Sequence, residues 1–282
     1  MKLGAALRPR DGESVADLAR RAAVLGFRGV SLGFDHRWTE ADLLAARYAF
    51  DLAGVEILEL GCYCNFLSPR DDEWHRNLSR VQAALQAGAL LNCDHAVTYA
   101  GSRSPDPDQP FGPHPDNWAD ATWDLLIQRI WAVLDGVEDI GVRLCFEPHP
   151  ATTLNTLDNL ADLANDAATF RVRIALDPAA LLTPAAAGDP RRALAEIFAT
   201  LADTIAVARA TDAALVGEGK EARVEPVPPG QGVLGYETYL KLISALELDT
   251  PLLVRHQASD EEYVAARDFV LRMARRAGVE VG

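Results

Sequence analysis

An α/β barrel of eight strand–helix units is the fold this sequence predicts, and three observations predict it. Short apolar runs alternate with amphipathic helical spacing from one end of the chain to the other. Eight such runs are present, and 282 residues suit a (β/α)8 TIM barrel, for which about 250 is usual. No glycine-rich fingerprint follows the first run, which leaves a doubly wound open sheet as the runner-up.

The predicted strands are Lys2–Leu7, Gly29–Gly33, Val55–Leu60, Ala96–Ala100, Val142–Phe146, Val172–Leu176, Ile205–Ala208 and Pro251–Val254. Helix starts are marked by N-cap candidates with an acid three residues on: Ser14 before Asp17, Thr39 before Asp42, Ser259 before Glu262. Gly26, Gly54, Gly88 and Gly141 stand at helix-to-strand joints, where C-caps are expected. Two connections read as long loops. Gly101–Asn117 follows the fourth strand and carries Pro105, Pro107, Pro110, Pro113 and Pro115, while Ala213–Gly232 follows the seventh. Both are expected on the C-terminal face as walls or lids, with plain surface excursions as the alternative. No linker divides the chain and no repeat exceeds the βα alternation, so a single domain over 1–282 is expected.

Hydrophobic residues make up 49% and charged residues 24%, the balance of an ordinary soluble protein. No apolar run approaches the roughly 20 residues that span a bilayer, so no membrane partner is expected. The first residues, Met1 to Leu7, are too short for a signal peptide and read as a strand. A net charge of −14 argues against a nucleic-acid partner. Cys62, Cys64, Cys93 and Cys145 read as buried free thiols, and Cys62-x-Cys64 lacks the second pair that a structural zinc needs. A cytoplasmic location fits these features best.

Function is concentrated in two runs, Phe146-Glu147-Pro148-His149-Pro150 and Leu176-Asp177-Pro178. Each acid ends a strand-like apolar stretch, where a charge is costly unless paired, hydrogen-bonded or bound to metal. In a barrel that end carries the active site. Helix capping and structural ion pairing are the plainer roles for such acids.

With these stretches in order, the chain resembles the xylose isomerase-like TIM barrels, which include sugar-phosphate isomerases, epimerases and endonuclease IV-type (AP endonuclease family 2-like) enzymes. The resemblance is carried by Gly26-Phe27-Arg28-Gly29-Val30, Tyr99-Ala100-Gly101-Ser102-Arg103-Ser104-Pro105-Asp106 and His114-Pro115-Asp116-Asn117-Trp118. Cys145 to Pro150, Asp177 to Leu182, and Pro228-Pro229-Gly230-Gln231-Gly232 with Tyr236 add to it. It implies a divalent metal held by Glu, Asp, His and Glu from strands five to eight. Glu147 and Asp177 match the first two ligands, but Arg209 stands at the histidine position and Arg255 at the last glutamate. Arginine has no lone pair to give a cation. The two guanidinium groups would supply the charge that the metal supplies elsewhere, making Glu147, Asp177, Arg209 and Arg255 a neutral cluster.

No cofactor is therefore favoured. The alternative is Mn²⁺, Mg²⁺ or Zn²⁺ on Glu147, Asp177 and His256, should the last strand align one residue later, with His149 near Glu147. The resemblance implies proton transfer next to a carbonyl of a small anionic carbohydrate, by isomerase, epimerase, lyase or dehydratase chemistry. Glu147 is the base, the arginines grip anionic oxygens, and Asp212 is either a second proton carrier or a salt-bridge partner. Asn65, His95, Tyr99, Arg103, Phe111, His114 and Trp118 are expected near the same face as sugar contacts, with His149, Asp212 and His256 beside them, although core or loop packing is the plainer account of each aromatic. The other class of reading is a non-catalytic barrel that binds a small acid or supports a partner subunit. Pairing into a homodimer is compatible with either.

Overall fold

The computed structural model describes residues 1–282, all but the side chain of Lys220. The elements run β1 (Leu3–Ala5), α1 (Val15–Val24), β2 (Gly29–Gly33), α2 (Glu40–Ala53), β3 (Glu56–Gly61), α3 (Asp71–Leu91), β4 (His95–Thr98) and α4 (Asp120–Asp135). Then come β5 (Arg143–Phe146), α5 (Leu157–Ala167), β6 (Val172–Leu176), α6 (Pro178–Leu181), α7 (Pro190–Leu201), β7 (Ile205–Arg209), β8 (Asp212–Val216) and β9 (Arg223–Val227). The chain ends with α8 (Tyr236–Ser244), β10 (Leu252–Val254) and α9 (Asp260–Ala277). Among the described residues, eight strands close into a barrel in the order β1-β10-β7-β6-β5-β4-β3-β2. The fold is thus the (β/α)8 barrel and not the open sheet. No described helix is long and apolar enough to cross a membrane.

Packing is organised in two compact units. One comprises Met1–Ser31, Tyr48–Leu58 and Leu176–Gly282, and the other Leu32–Arg47 and Glu59–Ala175. In the first, β1 pairs in parallel with β2 and β10, and β10 with β7, so that Leu253 lies beside Gly4 and Arg209. The absence of a side chain at Gly4 is required: a Cβ there would lie 2.6 Å from Leu253 and 2.9 Å from the Gly29 carbonyl. Ser14 and Asp17 form a reciprocal capping box at α1, and Ser259 accepts from the Glu262 amide at the start of α9. In the second unit β3, β4, β5 and β6 run parallel, in register from Gly61 through Val97 and Cys145 to Arg173. Thr39 and Asp42 cap α2 reciprocally in the same way.

Gly26 and Gly54 end their helices with positive φ, as C-cap glycines do. Gly88 and Gly141 do not. The α3 helix continues to Leu91 and closes on Asn92 in the left-handed region, while α4 stops at Asp135 with Gly136 as its cap. Gly88 is a packing glycine: a Cβ there would lie 2.9 Å from both the Cys93 carbonyl and Val142. Gly88→Ala is therefore expected to destabilise by about 1 kcal/mol or more, although alanine favours helix, because one of the clashing atoms is backbone. A urea midpoint shift reads this out.

The Ala213–Gly232 loop is largely a hairpin, with β8 antiparallel to β9 and Ala214 opposite Glu225. The alternation Arg223-Val224-Glu225-Pro226-Val227 carries the strand pattern, and Gly217 and Gly219 at positive φ make the turn.

Candidate active site

Glu147 directly follows β5 and is only 2% exposed. Tyr99 directly follows β4, and Tyr63 lies two residues beyond β3. Alternation along the strands turns Tyr63, Tyr99 and Glu147 to one side. The Tyr63 phenol donates to Oε2 of Glu147 at 3.3 Å, and the Tyr99 phenol to Oε1 at 3.2 Å. Both bonds are longer than tight phenol–carboxylate bonds, which leaves room for them to tighten or yield when a substrate enters. Tyr99 packs against Tyr63 at 4.8 Å, Phe111 at 4.9 Å and His149 at 5.2 Å between ring centroids. A buried carboxylate thus sits among aromatic faces suited to the apolar side of a sugar.

Burial holds His149 below the usual histidine range, against the opposing pull of Glu147. Its Nδ1 accepts from the Ala151 amide at 3.3 Å, so the neutral ring carries its proton on Nε2. A histidine that resists protonation in the fold takes up its proton more readily when unfolded. Stability from His149 is therefore full above its ordinary value of 6.5 and is lost as pH falls below it. In His149→Gln, urea stability is expected to decline less between pH 7.5 and pH 5.5 than in the wild type, both pH values being about one unit either side of that value.

The remaining predicted contacts in this unit separate into scaffold and surface. Asn65 Oδ1 accepts from the Leu67 and Ser102 amides, and its Nδ2 donates to the Ser102 carbonyl, tying the β3 loop to the β4 loop. Arg103 donates to the Leu67 carbonyl, and its amide is held by Asn117, which is fully buried. His114 caps the short 3₁₀ turn Pro115–Trp118. Trp118 is 51% exposed and lines a surface cavity of about 250 Å³ with Asp120, Trp123 and Asn159. His95 opens β4 opposite Arg143, the first residue of β5, at the other end of the strand from Tyr99. Its expected place on the C-terminal face is corrected: His95 is the first residue of β4, and a residue that opens a barrel strand stands at the N-terminal end. Tyr63 is the residue the sequence reading missed; its signal was a tyrosine two residues past a strand, on the parity of Glu59 and Gly61.

In the other unit, Asp177 directly follows β6 and caps α6, its Oδ1 accepting from the Ala179 amide at 3.1 Å and its Oδ2 lying 3.5 Å from the Thr211 hydroxyl. Arg209, the last residue of β7, is fully buried, and Arg255 directly follows β10, 8% exposed. The Tyr239 phenol donates to the Arg209 carbonyl, and that of Tyr236 to the Thr211 carbonyl. Burial pushes both phenols well above their ordinary range, with Asp177 adding to the shift. Arg255 Nη2 donates to His256 Nε2 at 2.7 Å, which occupies the lone pair that a metal would need. Asp212 is a loop anchor: its Oδ1 accepts from Ala213 and Leu234 and its Oδ2 from Gly230, all backbone amides.

This donor set does not fit the metal the resemblance implies. Two of four ligand positions are guanidinium groups, and the neighbouring histidine nitrogen is spent on one of them. Among the described residues no three His, Cys, Asp or Glu side chains are grouped to hold a metal ion.

The model of the xylose isomerase-like TIM barrel family matches residues 19–273. The chain belongs to that family. A 3-keto-D-glucoside 4-epimerase from E. coli superposes on this xylose isomerase-like chain with a TM-score of 0.74 at 15% identity, over 96% of this chain and 99% of its own. A xylose isomerase-like protein from Mycobacterium smegmatis, solved in complex with magnesium, gives 0.73 at 15%, over 98% and 97%. A probable 3-DHS dehydratase from Bacillus anthracis gives 0.71 at 14%, over 96% and 98%. At these identities the likeness is one of fold. No curated protein matches the chain in sequence.

Proposed function

We propose that this xylose isomerase-like protein is an enzyme that moves a proton next to the carbonyl of a small anionic carbohydrate, in the manner of an isomerase or epimerase, without a divalent metal. The observation that carries this reading is Glu147: a buried carboxylate at a strand's C-terminal end, oriented by two phenols and walled by aromatic rings. Glu147 takes the proton. Tyr63 and Tyr99 hold it in position and, once released, can donate to a substrate oxygen. Arg209 and Arg255, which stand where the resemblance implies metal ligands, carry permanent positive charge suited to an anionic group. The epimerase and dehydratase structures that share the fold support proton chemistry of this class on such a scaffold.

Calorimetric titration of a ketose and of its phosphate ester tests the substrate class. The ester is expected to bind about tenfold to a hundredfold tighter, the worth of a charged hydrogen bond, and Arg255→Gln is expected to remove that preference. Equal affinity for both sugars would overturn the anionic reading.

A further inference from the structure

Cys62 and Cys64 flank Tyr63 on the segment that leaves β3, and their sulfur atoms lie 3.7 Å apart. They are residues i and i+2 of an extended stretch, so both thiols point to the side opposite the Tyr63 ring. That side faces α3, where the Cys62 thiol approaches the Arg80 carbonyl at 3.8 Å. The backbone is pinned around them by Cys62 N to the Val97 carbonyl at 2.9 Å and Cys64 N to the Thr98 hydroxyl at 3.1 Å. Neither cysteine is used by the proton chemistry proposed above, and each is almost wholly buried, 4% and 3% exposed.

We propose that Cys62 and Cys64 form a modification site, a dithiol that a small peroxide closes into a disulfide, turning Tyr63 away from Glu147. Burial restricts the reaction to small oxidants. The Cys64 thiolate attacks one peroxide oxygen; the O–O bond breaks, leaving a sulfenic acid on Cys64 and hydroxide, which takes up a proton to become water. The Cys62 sulfur then attacks the Cys64 sulfur, the S–O bond breaks, a second water leaves and the S–S bond forms. Two thiols are oxidised and one peroxide is reduced to two waters. The geometry sets the order of attack: the Cys62 thiol lies against the Arg80 carbonyl, which can accept its hydrogen bond, while Cys64 has no such acceptor among the described residues. Cys64 is held below the ordinary thiol range by the Cys62 contact and the Arg80 charge, against the opposing effect of burial. Closing the bond brings the sulfurs together by about 1.7 Å, and the peptide units on either side of Tyr63 must turn to allow it. Burial pushes Cys93, by contrast, up to about 12, which makes it the internal standard for an inert thiol.

The test treats the folded protein with hydrogen peroxide and counts its four thiols. Two are expected to disappear, with the tryptic peptide that ends at Arg70 becoming lighter by two hydrogens, and a dithiol reductant is expected to restore both. Cys64→Ser is expected to show no such loss. Four intact thiols, a peptide that gains oxygen instead, or Cys93 consumed at the same rate would overturn the site. The movement of Tyr63 is read separately, from the near-ultraviolet circular dichroism difference between oxidised and reduced protein. The disulfide itself contributes a broad band, so the readout is the sharper tyrosine component of the difference, which is expected to be lost in Tyr63→Phe; an identical difference spectrum there would overturn the coupling. Neither readout depends on turnover, so the outcome stands apart from the proposed reaction.

Discussion

Glu147→Gln is expected to lower the rate of proton transfer by about 10²–10⁴-fold, the usual worth of a positioned general base. The substitution keeps the shape of the side chain, and an amide oxygen can still accept from one phenol. What disappears is the site that takes the proton. The loss is therefore expected in kcat more than in KM, with the urea midpoint nearly unchanged. Tyr63→Phe and Tyr99→Phe each remove one phenol from the carboxylate and leave the base in place, so smaller losses are expected. A rate as low in Tyr63→Phe as in Glu147→Gln would make the tyrosine, and not the carboxylate, the group that carries the proton.

The largest stability effect is expected at Asp212. Its carboxylate is buried and satisfies three backbone amides, those of Ala213, Gly230 and Leu234. Gly232 passes so close that a Cβ on it would lie 2.5 Å from Asp212 Oδ1. Asp212→Ala leaves those donors without an acceptor, at about 1–3 kcal/mol for each one that stays buried. A total loss of about 3 kcal/mol or more is expected, or about 6–12 °C in Tm for a chain of this size. Asp212→Asn keeps one carbonyl oxygen and is expected to fall between. If Asp212→Ala were as stable as the wild type but inactive, Asp212 would be a proton carrier and not an anchor.

The barrel is legible in the sequence because its signals are local and repeated. Each strand is a short apolar run, and Ser14, Thr39 and Ser259 mark helix starts through a bond that spans only three residues. Gly88 reads as a cap in sequence because close approach and helix capping call for the same residue, and only the positions of Val142 and the Cys93 carbonyl tell them apart. The β8–β9 hairpin reads as a loop in sequence because its glycine- and acid-rich turn dominates the composition around a short alternating strand. Glu147 and Asp177 were legible as charges at the ends of apolar strands. Tyr63 was not, since its bond to Glu147 joins residues far apart in sequence. His95 is a different case: it precedes the apolar run Ala96–Ala100, and that order alone places it at the N-terminal end of β4, away from Tyr99.

Solvent hydrogen exchange into a substrate tests the central claim most directly. The protein, stripped with chelator, is incubated in deuterium oxide with sugar phosphates and sugar acids, and deuterium at the carbon beside the carbonyl is followed by NMR. Exchange that survives chelation and vanishes in Glu147→Gln is the predicted result. Exchange that appears only when Mn²⁺, Mg²⁺ or Zn²⁺ is restored, with near-stoichiometric metal bound, would contradict it.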